Sequence, residues 1–164
     1  NKNIFFIPDR NLAHYIAALV PEKHFIFNDG FCPVHAEVIR ETVLEMKEKY
    51  PKALFLVHPE CRMEILELAD YVGSTSGIIQ YATESDAQEF IIGTETGVMY
   101  KLRQQNPGKK FYLLGAGQVC EDMKKVTLDK VLACMEQETG VVEVSEELHD
   151  AANAPLNRML DLAK

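Results

Sequence analysis

The sequence predicts an α/β fold built on mainly parallel sheets, and three features carry that prediction. Six short apolar runs, around residues 4–7, 24–27, 53–57, 71–72, 90–92 and 111–114, each end in a loop of polar, glycine or cysteine residues. Segments with apolar residues at helical spacing lie between them, so strand and helix alternate along the chain. The clearest run, Ala53-Leu54-Phe55-Leu56-Val57, is apolar throughout, as a strand covered on both faces is. Pro59 has no N–H to give a ladder and stops that strand at His58. Strict alternation implies parallel strands with helices on both faces.

Taken in order, the first strand is followed by Leu12, Tyr15, Ile16 and Leu19 at helical spacing, which predicts a helix over 11–20 capped by Asn11. A strand over 24–28 precedes Pro33, a first-turn residue that opens a helix running to about Lys49. Val38, Ile39, Val43, Leu44 and Met46 form its apolar stripe, and Pro51 ends it. The strand 53–58 leads to a helix over about 61–69, a short strand near 71–73 and a helical stretch over about 77–87. Next come a strand over 89–93, a helix capped by Thr96 and running through Gln105, and a strand over 110–115 set off by Pro107-Gly108. A helix over 121–138 stops before Gly140, an extended piece covers Val141 to Val144, and one or two helices fill 145–164.

At 164 residues and 47% apolar composition, the chain has the material for one domain or two small lobes. Its formal net charge of −8 argues against nucleic acid as a partner, because that binding is carried by clustered Lys and Arg. A small anion held by local donors stays compatible. No apolar run approaches the length of a membrane span and no basic-then-apolar leader opens the chain, which predicts a cytoplasmic protein without membrane contact. Asn1 stands where an initiating Met would be, so a natural beginning is expected to be absent.

In such folds ligands occupy the crevice beyond the carboxyl ends of the strands, where helix N-termini favour phosphate or carboxylate. Ser74 and Thr75 are placed to bind there, or else are ordinary cap hydroxyls. Neither a dinucleotide fingerprint nor a Walker motif is present. The four cysteines, at 32, 61, 120 and 134, include no close C-x-x-C pair, which counts against a zinc ribbon and against thiol exchange. Cys32 and Cys120 each follow a strand and precede a helix, where a thiolate that binds metal is favoured, or they are buried free thiols. Cys134 lies within a helix and reads as a small core residue. His58 and Glu60, one residue apart across Pro59, form either an acid/base pair or a helix-dipole partner beside a satisfied edge histidine.

Six segments, in order, resemble the quinolinate synthases of NAD biosynthesis. They are Phe6-Ile7-Pro8-Asp9-Arg10-Asn11-Leu12, Gly30-Phe31-Cys32-Pro33-Val34-His35, His58-Pro59-Glu60-Cys61, Ala69-Asp70-Tyr71-Val72-Gly73-Ser74-Thr75, Ile92-Gly93-Thr94-Glu95 and the stretch from Cys120 to Leu128. The resemblance implies three-layer αβα lobes around a pseudo-threefold axis, each giving one cysteine to a four-iron four-sulfur cluster whose fourth iron has no protein ligand. It implies condensation of iminoaspartate with dihydroxyacetone phosphate to quinolinate, the open iron acting as a Lewis acid. By that match Cys32 and Cys120 are cluster ligands, Cys61 and Cys134 are not, and His58, Glu60 and Thr75, with Ser74 beside them, bind substrate. His58 and Glu60 also carry the catalytic proton transfers.

The resemblance further implies that 1–31 is the end of a second lobe, 32–120 a third αβα lobe and 121–164 helices that pack on a first lobe not in this chain. The third cluster cysteine would lie in that lobe, so the 164 residues alone are expected to be inactive and to associate with the missing half or with themselves. The alternative is a non-catalytic α/β module that binds a small phosphorylated metabolite without a cluster.

Overall fold

The computed structural model describes residues 2–115 and 118–164. Asn1, and Ala116 and Gly117 of the expected glycine-rich loop, lie outside them. There are two compact units, Asn1–Cys120 and Glu121–Lys164.

The first unit opens with β1 (Asn3–Phe6), α1 (Arg10–Leu19) and β2 (His24–Phe27), and the two strands pair in parallel with Phe6 opposite Phe27. Then follow α2 (Pro33–Ala36), α3 (Arg40–Lys49), β3 (Leu54–Val57), α4 (Met63–Leu66), β4 (Tyr71–Val72), α5 (Thr75–Glu84), β5 (Glu89–Gly93), α6 (Val98–Gln105) and β6 (Lys110–Leu113). The four later strands form a second sheet, wholly parallel, in the order β4-β3-β5-β6.

Successive side chains of a strand point to opposite faces, and here both faces are covered. Phe55, Val57 and Ile91 pack with Val43 of α3 and with Ile65 and Leu66 of α4. Leu56, Phe90 and Ile92 pack with Ile78 and Ala82 of α5 and with Val98, Met99 and Leu102 of α6. The apolar runs of β3 and β5 are thus the middle layer of the expected αβα lobe. Gly93 is the one position in β5 with no room for a side chain, since a Cβ there would stand 2.8 Å from Phe55 Cε2 and 2.9 Å from Val57 Cγ2. Gly93→Ala is expected to cost about 1–3 kcal/mol of stability by overpacking. An unchanged urea midpoint would refute it.

Several boundaries differ from expectation. Asp9, not Asn11, caps α1: its Oδ1 accepts the Leu12 N–H at 2.7 Å. The helix expected over 33–49 is broken into α2 and α3, with Ile39 extended at φ −107° and ψ 146°. Val38 is buried all the same, so the apolar stripe continued through a turn that is not helical. The helix after β3 is shorter than expected, and α5 starts earlier, at Thr75 with Ser74 as its cap. At α6 the cap is Gly97 in place of Thr96, because Glu95 Oε2 takes the Gly97 N–H at 2.6 Å.

The second unit holds α7 (Glu121–Lys124), α8 (Leu128–Gln137) and α9 (Glu146–Leu162). Thr127 caps α8 by accepting the Lys130 N–H, which splits the helix expected over 121–138. The last segment is a single helix that carries Pro155 inside it. Cys134 is exposed and not a core residue, because its side chain turns toward the end of α8, where Sγ donates to the Thr139 carbonyl at 2.9 Å. Among the described residues no helix is long and apolar enough to cross a membrane.

Candidate functional site

Strands β4, β3 and β5 end side by side, and their loops bring polar residues to one edge. Val57 pairs with Val72 on one side and Gly93 on the other, so His58, Gly73 and Thr94 are the first residues beyond the sheet on three neighbouring strands. The His58 N–H donates to the Gly93 carbonyl and the Gly73 N–H to the Val57 carbonyl, both at 3.1 Å, which ties the two loops to the ladder.

His35, on α2, links these loops. Its Nδ1 lies 2.9 Å from Glu60 Oε2, its Nε2 lies 3.0 Å from Thr94 Oγ1, and its ring stacks on His58 with centroids 4.5 Å apart and planes 13° from parallel. An ionised carboxylate only accepts, so the Glu60 partner puts a proton on His35 Nδ1, and in the neutral ring the Thr94 hydroxyl donates to Nε2. Both His35 and Thr94 are buried. The hydrogen bond from His35 is the main reason that the Glu60 carboxyl titrates below its usual range, against the opposing effect of burial.

His58 is held below the usual imidazole value, first by burial and then by the charge His35 would carry, while Glu60 and Asp9 pull the other way. His58 is therefore neutral at neutral pH. The Glu60 N–H donates to His58 Nδ1 at 3.3 Å, which leaves the ring proton on Nε2. A neutral imidazole and an ionised carboxylate, with Nδ1 and Oε2 3.7 Å apart, are the acid/base equipment of this edge.

Cys32 stands at the N-cap of α2, one turn before His35, and is half-buried. One donor atom each from Cys32, His35 and Glu60 can be chosen so that all three lie within 4.8 Å of one another. Asp9, itself buried, grips the Cys32 backbone through Oδ2, which accepts its N–H at 2.8 Å. Cys61 is fully buried and its thiol is pushed up to about 12, mainly by desolvation. Cys120, half-buried, lies in the loop after β6, where its N–H donates to Glu95 Oε1 at 3.4 Å. Ser74 and Thr75 open α5 at the same sheet edge, with the Ser74 hydroxyl accepting the Gly77 N–H at 3.2 Å.

Of the residues expected from the sequence, Cys32, His58 and Glu60 come together directly. Ser74 and Thr75 stand on the adjoining loop, and Cys120 is tied to the loop after β5. Sequence reasoning missed Asp9, His35 and Thr94. His35 left one usable signal, a spacing of one helical turn from Cys32. For Thr94, 59 residues from its partner, there was none.

Comparison with known proteins adds the following. The family model described as Quinolinate synthetase A protein matches residues 1–161. The quinolinate synthase of Caldicellulosiruptor saccharolyticus is 47% identical over 163 residues, which is 99% of this chain and 54% of that protein. That of Clostridioides difficile is 47% identical over 164 residues, 100% of this chain and 53% of the relative. Quinolinate synthase 1 of Methanosarcina acetivorans is 48% identical over 157 residues, 96% and 51% of the two chains. The chain spans about half the length of the curated relatives it matches.

Proposed function

We propose, from the premise that this chain belongs to the quinolinate synthetase A family, that it supplies proton-transfer and anion-binding groups to a quinolinate synthase of NAD biosynthesis. The observation that carries the reading is the stacked His35–His58 pair holding Glu60 beside Cys32 at the strand ends. The substrates are iminoaspartate and dihydroxyacetone phosphate, joined with loss of phosphate and water. Glu60, ionised, takes a proton during dehydration, and His58, with its proton on Nε2, donates to a departing hydroxyl or orients a substrate carboxylate. The first-turn amides of α5, with Ser74 and Thr75, hold a carboxylate or phosphate of the substrate.

The cofactor implied by the family is a four-iron four-sulfur cluster, and the donor set fits two of its ligands. Cys32 and Cys120 would hold it: both are half-buried thiols in loops after strand ends, anchored through their own backbone N–H groups. Cys61 is kept as a neutral thiol by burial, and the Cys134 Sγ is turned onto the Thr139 carbonyl. When bound, the cluster supplies Lewis-acid polarisation of a substrate oxygen.

Two thiolates fall short of the three that such a site uses, so the 164 residues alone make no quinolinate. Anaerobic reconstitution with iron and sulfide is expected to give neither a four-iron spectrum nor product, and the appearance of both would overturn this. Phe5, Ile7, Leu19 and Ile26 of the first unit are exposed apolar residues, and the remaining half of a synthase, or a second copy, is proposed to cover them. Monomeric light scattering without apolar-dye binding would count against that association.

The decisive experiment is a chimaera in which this chain replaces the matched part of the Caldicellulosiruptor saccharolyticus relative. It is expected to form quinolinate; a folded, cluster-loaded chimaera that forms none would sink the proposal. A second reading, a module for a small phosphorylated metabolite, draws on the capped N-terminus of α5. Phosphate binding by the chain, unchanged when Cys32 and Cys120 are both replaced by Ser and coupled with an inactive chimaera, would favour it.

A further inference from the structure

The two cysteine loops are held by the same device, built twice. Asp9 follows β1 and Glu95 follows β5, and each is the carboxylate of the loop that leads into a crossover helix. With one oxygen each accepts an N–H at the start of that helix, Leu12 at 2.7 Å for Asp9 and Gly97 at 2.6 Å for Glu95. With the other oxygen each accepts the backbone N–H of the cysteine that follows the neighbouring parallel strand, Cys32 at 2.8 Å and Cys120 at 3.4 Å. The strand pairs concerned are β1–β2 and β5–β6, so the arrangement recurs in two separate sheets.

From this repetition we infer that Asp9 and Glu95 are positioning residues for the two thiols, each fixing the cysteine in the loop across the parallel pair. The inference deepens the cluster reading above and rests on it for its purpose, though the geometry stands by itself. A loop beyond a strand end has many conformations, and a metal-binding thiolate in it must be ordered before it can bind. A carboxylate that accepts two N–H donors from different segments orders that loop in advance, in the way that groups behind a ligand orient it. Asp9 is nearly fully buried, at 3% exposure, although a charged side chain in that state needs partners to repay its desolvation. Capping α1 alone would use one of its oxygens; the other is spent on Cys32.

The test is the anaerobic alkylation rate of each thiol in the 164-residue chain, read peptide by peptide with iodoacetamide and mass spectrometry. Asp9→Ser keeps a hydroxyl that can cap α1 but has no second oxygen for the Cys32 N–H. It is expected to raise the labelling rate of Cys32 roughly tenfold, the scale of one lost hydrogen bond to a charged group, and to leave Cys120 unchanged. Glu95→Ala is expected to do the reverse. Losing the loop anchor frees the cysteine loop to open to the reagent, which acts in that direction.

Buried Cys61 is the internal control: it stays unlabelled while the lobe is folded. If Asp9→Ser exposes it, Asp9→Asn, which keeps one acceptor oxygen in the same shape, is expected to give the same selectivity at smaller amplitude. Equal acceleration of Cys32 and Cys120 by either variant, or no acceleration of the facing thiol, would overturn the inference. Iron uptake measured on the same chain with Cys32→Ser and Cys120→Ser separates the two layers. Selective labelling without thiol-dependent iron binding would retain the positioning role and remove the cluster reading.

Discussion

Glu60→Gln in the chimaera is expected to lower kcat by about 10²- to 10⁴-fold, the range that a positioned acid or base supplies. The substitution keeps the shape of the side chain, and its carbonyl oxygen can still accept from His35 Nδ1, so the stacked histidines and α2 should stay in place. What disappears is the negative charge that takes the proton. The same charge sets an acid-stability effect whose sign follows from the direction of its shift. Glu60 titrates below the ordinary 4.5, so the unfolded chain binds its proton more readily than the folded one. Its contribution is present above that ordinary value and is lost as pH falls through the lower folded value. In Glu60→Gln the stability curve between those two points should be flatter than in the parent, with the variant's deficit largest at neutral pH and fading as the parent's Glu60 takes up its proton. A kcat within threefold of the parent, in a chimaera that carries its cluster, would remove Glu60 from the mechanism.

The strands were legible because a parallel sheet covered on both faces has to be written as unbroken apolar runs. Leu54–Val57 and Glu89–Gly93 lie within a residue of where composition put them, each closed by a residue that cannot extend the ladder or has no side chain. Helix interruptions were not legible, because an apolar stripe records burial and not hydrogen bonding. Val38 continues the stripe of α3 while the chain around it is not helical, and Thr127 splits a periodic segment by capping from within it. Caps were misread by one or two residues where a carboxylate competed with a nearby Asn or Thr: Asp9 over Asn11, and Glu95 acting for Thr96.

The site was half legible for a related reason. His58 and Glu60 are neighbours in sequence, so their juxtaposition is local information. Their fixed geometry comes from His35 and Thr94, which reach them across 25 and 59 residues and leave no local trace. The resemblance to a family implies a role for the same two residues without saying what holds them, and the structure shows His35 in contact with both. Asp9 is the clearest case of a residue with two jobs, only one of which, capping, has a sequence signature.

His35→Ala should therefore disable the edge without touching a residue expected to bind substrate. It removes the Nδ1–H that keeps Glu60 ionised, the ring that covers His58, and the partner of the buried Thr94 hydroxyl, whose isolation costs about 1–3 kcal/mol of stability. Each loss has its own direction. Glu60 should titrate higher, toward 4.5, because its largest lowering influence is gone. His58 should also titrate higher, toward 6.5, because burial beneath the stacked ring and then the facing His35 charge are what hold it down. A depressed histidine adds stability that is complete above the unfolded value and is lost as pH falls toward the folded one, so the variant should lose less on acidification from 6.5 than the parent. His35→Asn distinguishes these roles: its amide can donate to Glu60 as Nδ1 does but cannot stack as an imidazole. It should keep Glu60 low while letting His58 rise. Histidine and carboxyl NMR titrations of the chain read both shifts directly, and a His58 titration that is the same in parent, Ala and Asn variants would show that the stacked pair does not set its protonation.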